Sequence, residues 1–160
     1  MFAHNAGRPR RDLAASYRHV LAIYDGSEES EKVLDMVCRT VRPHRGRLTI
    51  LILRPLPFTK ELPVYEEGAD PEVDAIVKRA EELAEARGLK AATAVRYARA
   101  LGPAVVSEAR LHGVDLVALS LPGPDRLGSE GASHTDVDTI LSQVNCAVML
   151  CRPPRQGAGG

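Results

Sequence analysis

The chain has 160 residues, 44% of them hydrophobic and 26% charged, which suits one globular domain and excludes wholesale disorder. Lys plus Arg and Asp plus Glu both number 21, so the net charge is zero, which argues against a basic nucleic-acid binder. No apolar run approaches the ~20 residues of a membrane span, and Arg8, Arg10 and Arg11 have no apolar segment behind them as a secretory leader would.

Residues 1–16 show little periodicity and read as a loose N-terminal arm, and residues 153–160 read as a Pro- and Gly-rich tail. The domain proper spans 17–152. Its first strand is His19 to Tyr24, broken by Asp25-Gly26-Ser27. Ser27 is a good N-cap, with Glu28 and Glu29 in the first turn where the helix dipole favours them. Val33, Leu34, Val37 and Val41 follow at helical spacing, and Pro43 and Gly46 close that helix. The second strand, Leu48 to Leu53, is apolar on both faces and suits a parallel strand covered on each side. A loop over 54–69 carries Pro55, Pro57 and Pro63. Asp70 caps the second helix with Pro71 at its first position, and Val73, Ile76, Val77, Ala80, Leu83 and Ala84 form its apolar stripe.

Gly88 ends that helix and a short third strand follows over Ala92 to Arg96. Gly102-Pro103 opens a third helix that Gly113 ends. Leu116 to Leu119 is the fourth strand, and a glycine-bearing loop leads into a fourth helix over about Asp136 to Val144. Ala147 to Cys151 is the last strand. Strands alternating with helices predict an α/β fold, a parallel sheet with helices on both faces.

Open parallel sheets bind ligands beyond the carboxyl ends of their strands, near the switch in strand order. That rule selects Asp25-Gly26-Ser27 and the segment Ser120 to Thr135. A helix start after the second segment favours an anion such as phosphate. Four Tyr, two Phe and no Trp leave little for a site built on stacked rings. The three Cys form no C-x-x-C pair, and Cys146 and Cys151 would lie about 16 Å apart along one strand, so all read as free thiols of a reducing cytoplasm. His4, His19, His44, His112 and His134 show no metal-ligand spacing. Neither a G-x-S-x-G elbow nor a G-x4-G-K-[ST] loop is present.

D-G-S-x-x-S directly after the first strand resembles the universal stress protein family. The closing segment, with Asp138, Ile140, Leu141 and Cys146-Ala147-Val148-Met149-Leu150, resembles that family's last helix and strand. The resemblance implies a flavodoxin-like sheet of five parallel strands in the order 3-2-1-4-5, and a homodimer paired through the last strand. One branch of the family binds ATP or AMP through an Asp after strand one, an apolar residue on strand two, and a loop G-x2-G-x9-G-[ST]. Asp25 and Leu53 match the first two positions. In the loop, Ser120 stands at the first glycine and Gly123 at the second, and His134-Thr135 falls at the final G-[ST], with Ser133 competing for its glycine. The loop therefore reads S-x2-G-x10-H-T. Pro122 and Pro124 each remove an N–H donor, and His134 adds bulk where the family has a glycine. The third helix, from Gly102-Pro103 to Gly113, is shorter than the family's usual segment.

The resemblance implies a cytoplasmic, dimeric regulatory or stress-response module, not an enzyme, that holds ATP (with Mg) or AMP between Asp25, Gly26, Ser27, Leu53 and the Ser120–Thr135 loop. The departures in that loop keep a second expectation open: a nucleotide-free module that acts only through protein partners. Asp25 itself reads equally as a ligand contact or as the cap of a turn. No nucleic-acid or membrane partner is expected.

Overall fold

A computed structural model describes residues 17–121 and 133–152. The expected N-terminal arm, C-terminal tail and Gly123 with its flanking prolines lie outside the described residues. Strand β1 is His19–Tyr24, followed by helix α1 (Glu28–Val41) and a short 3-10 turn. Then come β2 (Arg47–Pro55), α2 (Pro71–Ala86), β3 (Ala92–Ala98) and α3 (Leu101–His112). β4 (Leu116–Ser120), α4 (His134–Gln143) and β5 (Ala147–Cys151) complete the chain.

The five strands stand in the order β3-β2-β1-β4-β5 and every neighbouring pair is parallel, as expected. Period-two alternation divides the apolar residues between two cores. On one face Val20, Ala22, Ile50 and Ile52 meet Leu34 and Val37 of α1 and Val73 and Ala80 of α2. On the other, Leu21, Leu51, Val117 and Leu119 meet Val105 of α3 and Ile140 of α4. Each such Leu or Ile withdrawn from water contributes about 1.5–3 kcal/mol, so the doubly covered β1 and β2 anchor the sheet. β5 is an edge strand, half-buried along its whole length. Among the described residues no helix is long and apolar enough to cross a membrane.

Several boundaries differ from the sequence expectation. β2 and β3 run two residues further, to Pro55 and Ala98, because they pair with each other out to that point. α3 begins at Leu101, ahead of Gly102-Pro103. α4 begins at His134 and not near Asp136, because Ser133 is its N-cap. Ser133 Oγ accepts the Asp136 N–H at 3.1 Å, and Asp136 Oδ2 in turn accepts the Ser133 N–H at 3.0 Å, a reciprocal capping box. The left-handed Arg45 (φ 52°) turns the chain from the 3-10 turn toward β2.

Candidate functional site

β1 stands between β2, its successor in sequence, and β4, which follows two crossovers later. The chain leaves β1 toward one face of the sheet and leaves β4 toward the other, so the loops after them diverge. A cleft of about 660 Å³ opens there, inside the roughly 300–1,000 Å³ range of small-molecule sites.

Asp25-Gly26-Ser27 forms its first wall. Gly26 has φ +83°, the left-handed conformation that glycine adopts freely and that a side chain would strain. The turn brings the Ser27 N–H within 2.8 Å of Asp25 Oδ1. Ser27 then caps α1, its Oγ accepting the Ser30 N–H at 3.2 Å. Asp25 closes the turn with one carboxylate oxygen; the other has no partner among the described residues, and the side chain stands exposed at the cleft.

Leu53 of β2, Leu119 of β4 and Leu101 of α3 supply apolar surface, with Leu53 only 6% exposed. Ser120 ends β4 beside them. The far wall is the start of α4, where Ser133, Thr135 and Asp136 line the cleft. A helix start presents backbone N–H groups that lack intrahelical partners and carries the positive end of its dipole.

Asp136 is committed to structure. Its Oδ1 accepts the Gly102 N–H at 2.7 Å, and its Oδ2 accepts the Ser133 hydroxyl at 2.7 Å as well as the Ser133 N–H. Burial opposes its charge, but the Ser133 hydroxyl and the N–H groups of Gly102, Ser133 and Leu101 outweigh burial and hold the carboxyl below its ordinary range. The carboxylate therefore pins the start of α3 to the start of α4, and so fixes one side of the cleft.

Of the residues the sequence selected, Asp25, Gly26, Ser27, Leu53, Ser120, Ser133 and Thr135 all line this cleft. His134 is exposed at the first position of α4 and does not line it. The sequence reading missed Asp136, Arg54, Arg99 and Leu101, which do. For Asp136 a signal was present: Ser133-His134-Thr135-Asp136 has the spacing of a capping box. Arg54 and Arg99 carry no such signal, since they reach the cleft only because β2 and β3 run to Pro55 and Ala98. Among the described residues no group of His, Cys, Asp and Glu is placed to hold a metal.

Comparison with known proteins places the fold. The model of the universal stress protein family matches residues 16–152. No curated protein matches the chain. Among solved structures, a universal stress protein in complex with cAMP is 18% identical, with a TM-score of 0.61 over 84% of this chain and 95% of its own. The universal stress protein of Archaeoglobus fulgidus in complex with dAMP is 13% identical, with a TM-score of 0.61 over 82% of this chain and 94% of its own. A family protein of Arabidopsis thaliana with AMP bound is 11% identical, with a TM-score of 0.59 over 86% of this chain and 92% of its own. With the family model spanning all five strands and four helices, the chain belongs to the universal stress protein family.

Proposed function

We propose that this protein binds an adenine nucleotide in the cleft between β1 and α4 and acts as a regulatory binding protein, not as an enzyme. The observation that carries the reading is the cleft itself: at the switch in strand order, apolar along Leu53, Leu101 and Leu119, with the second oxygen of Asp25 open at its rim. An apolar wall suits a purine face, a free carboxylate oxygen accepts hydrogen bonds from ribose hydroxyls or base amines, and a helix start suits phosphate. The fold neighbours solved with cAMP, dAMP and AMP support the same ligand class. A binding role also fits the charged groups present, because Asp136, the half-buried carboxylate of the site, is consumed by three hydrogen bonds in the frame.

Calorimetry with AMP, and with ATP in the presence and absence of magnesium, tests the reading. Asp25→Ala should lose about 1–3 kcal/mol of binding, because a ligand donor loses a charged acceptor. Asp25→Asn keeps an oxygen for the Ser27 N–H and separates the loss of charge from collapse of the turn. Magnesium should matter for ATP and not for AMP, since Asp25 and Glu29 also face the cleft and extra phosphate charge needs a counter-ion.

A second reading, a nucleotide-free module working through protein partners, is favoured by the loop pattern S-x2-G-x10-H-T, which departs from the glycines of the nucleotide-binding branch. Absence of heat and of any thermal shift with millimolar AMP and Mg-ATP would select it.

A further inference from the structure

Between Leu56 and Tyr65 the chain runs as a strap on the outside of the molecule, every residue from 57 to 64 exposed. Phe58 is 82% exposed and Val64 87%. Tyr65 and Gly68 anchor its far end on Asp74 of α2, and the Leu56 N–H bonds the Ala98 carbonyl at its near end. Among the described residues, the only side-chain hydrogen bonds to 57–64 come from Arg99. Its Nη1 donates to the Pro57 carbonyl at 2.9 Å and its Nη2 to the Lys60 carbonyl at 3.0 Å, while its guanidinium carbon sits 5.2 Å from the centre of the Phe58 ring.

Arg99 also lines the cleft. The cleft's other cation, Arg54, is paired with Glu72 at 3.1 Å. Arg99 has no carboxylate partner among the described residues. A guanidinium carries five N–H donors, and the strap uses two, which leaves three donors on a cation that holds no ion pair among the described residues. That chemistry fits a phosphate, two of whose oxygens accept a charge-assisted fork from the guanidinium.

Resting on the nucleotide reading above, we propose that Arg99 is the phosphate-selecting residue of the cleft and that it couples a bound phosphate to the order of the strap. One planar group cannot turn toward a phosphate without carrying its two carbonyl partners along. A phosphate that fixes the guanidinium therefore fixes Pro57, Lys60 and the exposed Phe58 between them. An uncharged nucleoside, filling the apolar wall alone, leaves the guanidinium free and the strap as it was.

The test uses adenosine and AMP as probes on the full chain, with wild type, Arg99→Gln and Arg99→Lys. Calorimetry reads affinity, and hydrogen exchange of residues 57–64 reads the strap. Wild type should prefer AMP, and AMP but not adenosine should slow strap exchange. Arg99→Gln should weaken AMP about tenfold while leaving adenosine within about twofold. Arg99→Lys should keep part of the AMP preference as a point charge but lose the AMP-dependent slowing, because an ammonium does not fork. If wild type binds both compounds and Arg99→Gln weakens both equally, or if AMP still slows strap exchange in that variant, Arg99 is a packing residue and the proposal is wrong. Uptake of neither compound by wild type would overturn the nucleotide reading itself, and this proposal with it.

Discussion

Gly102→Ala tests the frame of the cleft. A glycine in a helix normally gains about 1 kcal/mol on replacement by Ala, through helix propensity. At Gly102, the second residue of α3, that gain is opposed by contact. A Cβ built there would stand 2.9 Å from both the Asp136 Cα and the Asp136 carbonyl oxygen, and 3.0 Å from the Thr139 Cβ. Two of those atoms are backbone and cannot swing aside, so α3 and α4 must separate. Overpacking of this kind costs about 1–3 kcal/mol. Separation also stretches the 2.7 Å hydrogen bond from the Gly102 N–H to Asp136, a bond to a charged group worth about 1.5–3 kcal/mol. With that bond lost, the opposing terms leave a net loss of about 1.5–5 kcal/mol. Urea unfolding followed by circular dichroism should show the midpoint fall with little change in slope. Because Leu101 and Asp136 both line the cleft, affinity for AMP should fall with it. A variant as stable as wild type, or more so, would refute the account of α3 and α4 as helices locked by a missing side chain.

Two further outcomes follow from the ends of the sheet. His19, 7% exposed, bonds Thr49 Oγ1 through Nε2 at 2.8 Å and buries Nδ1 without a hydrogen-bond partner among the described residues. Burial first, then the nearby Arg47, hold its pKa below the ordinary 6.5. The unfolded chain therefore takes up this proton first, so stability present above pH 6.5 is lost as pH falls below it, by at most about 1.4 kcal/mol per unit. His19→Gln should flatten that slope in unfolding measured from pH 7.5 to 5, and an unchanged slope would assign it to other groups. At the β5 edge, we propose that two copies of the chain pair along Ala147–Cys151, whose half-buried apolar residues and unpaired backbone invite another strand. Light scattering at micromolar concentration should return twice the chain's 17.3 kDa, and the single-chain mass would rule this out.

The order of elements was legible because each signal was local. Ser27 and Asp70 cap the helices that follow them, Pro71 stands at a first helical position, and Gly113 takes the left-handed conformation (φ +58°) at the end of α3. The double-faced apolar run of β2 announced a strand covered on both sides, and its residues divide between the two cores as that pattern requires. Strand order was not local information. Nothing in the alternation distinguishes 3-2-1-4-5 from other doubly wound orders, and it came from the resemblance of Asp25-Gly26-Ser27 and the closing segment to a family.

The site was legible to the extent that its groups share a loop, and obscure where they meet only in space. Asp25, Gly26 and Ser27 are one turn, so sequence placed them together. Arg99 and Asp25 lie far apart in the chain and reach one cleft because β3 and β1 both end there. The start of α4 shows a different failure. Counting residues against the family's G-[ST] put His134-Thr135 in the loop and the helix two residues later, whereas the physical signal, Ser133 three residues before Asp136, sets the helix start at His134. The consequence is chemical. His134 opens the helix on its exposed side and Asp136 is turned to the frame, which leaves Ser133 and Thr135 as the polar groups α4 brings to the cleft wall beside it. Of the two residues that compete for the family's final glycine position, His134 falls outside the lining of the cleft and Ser133 lies within it.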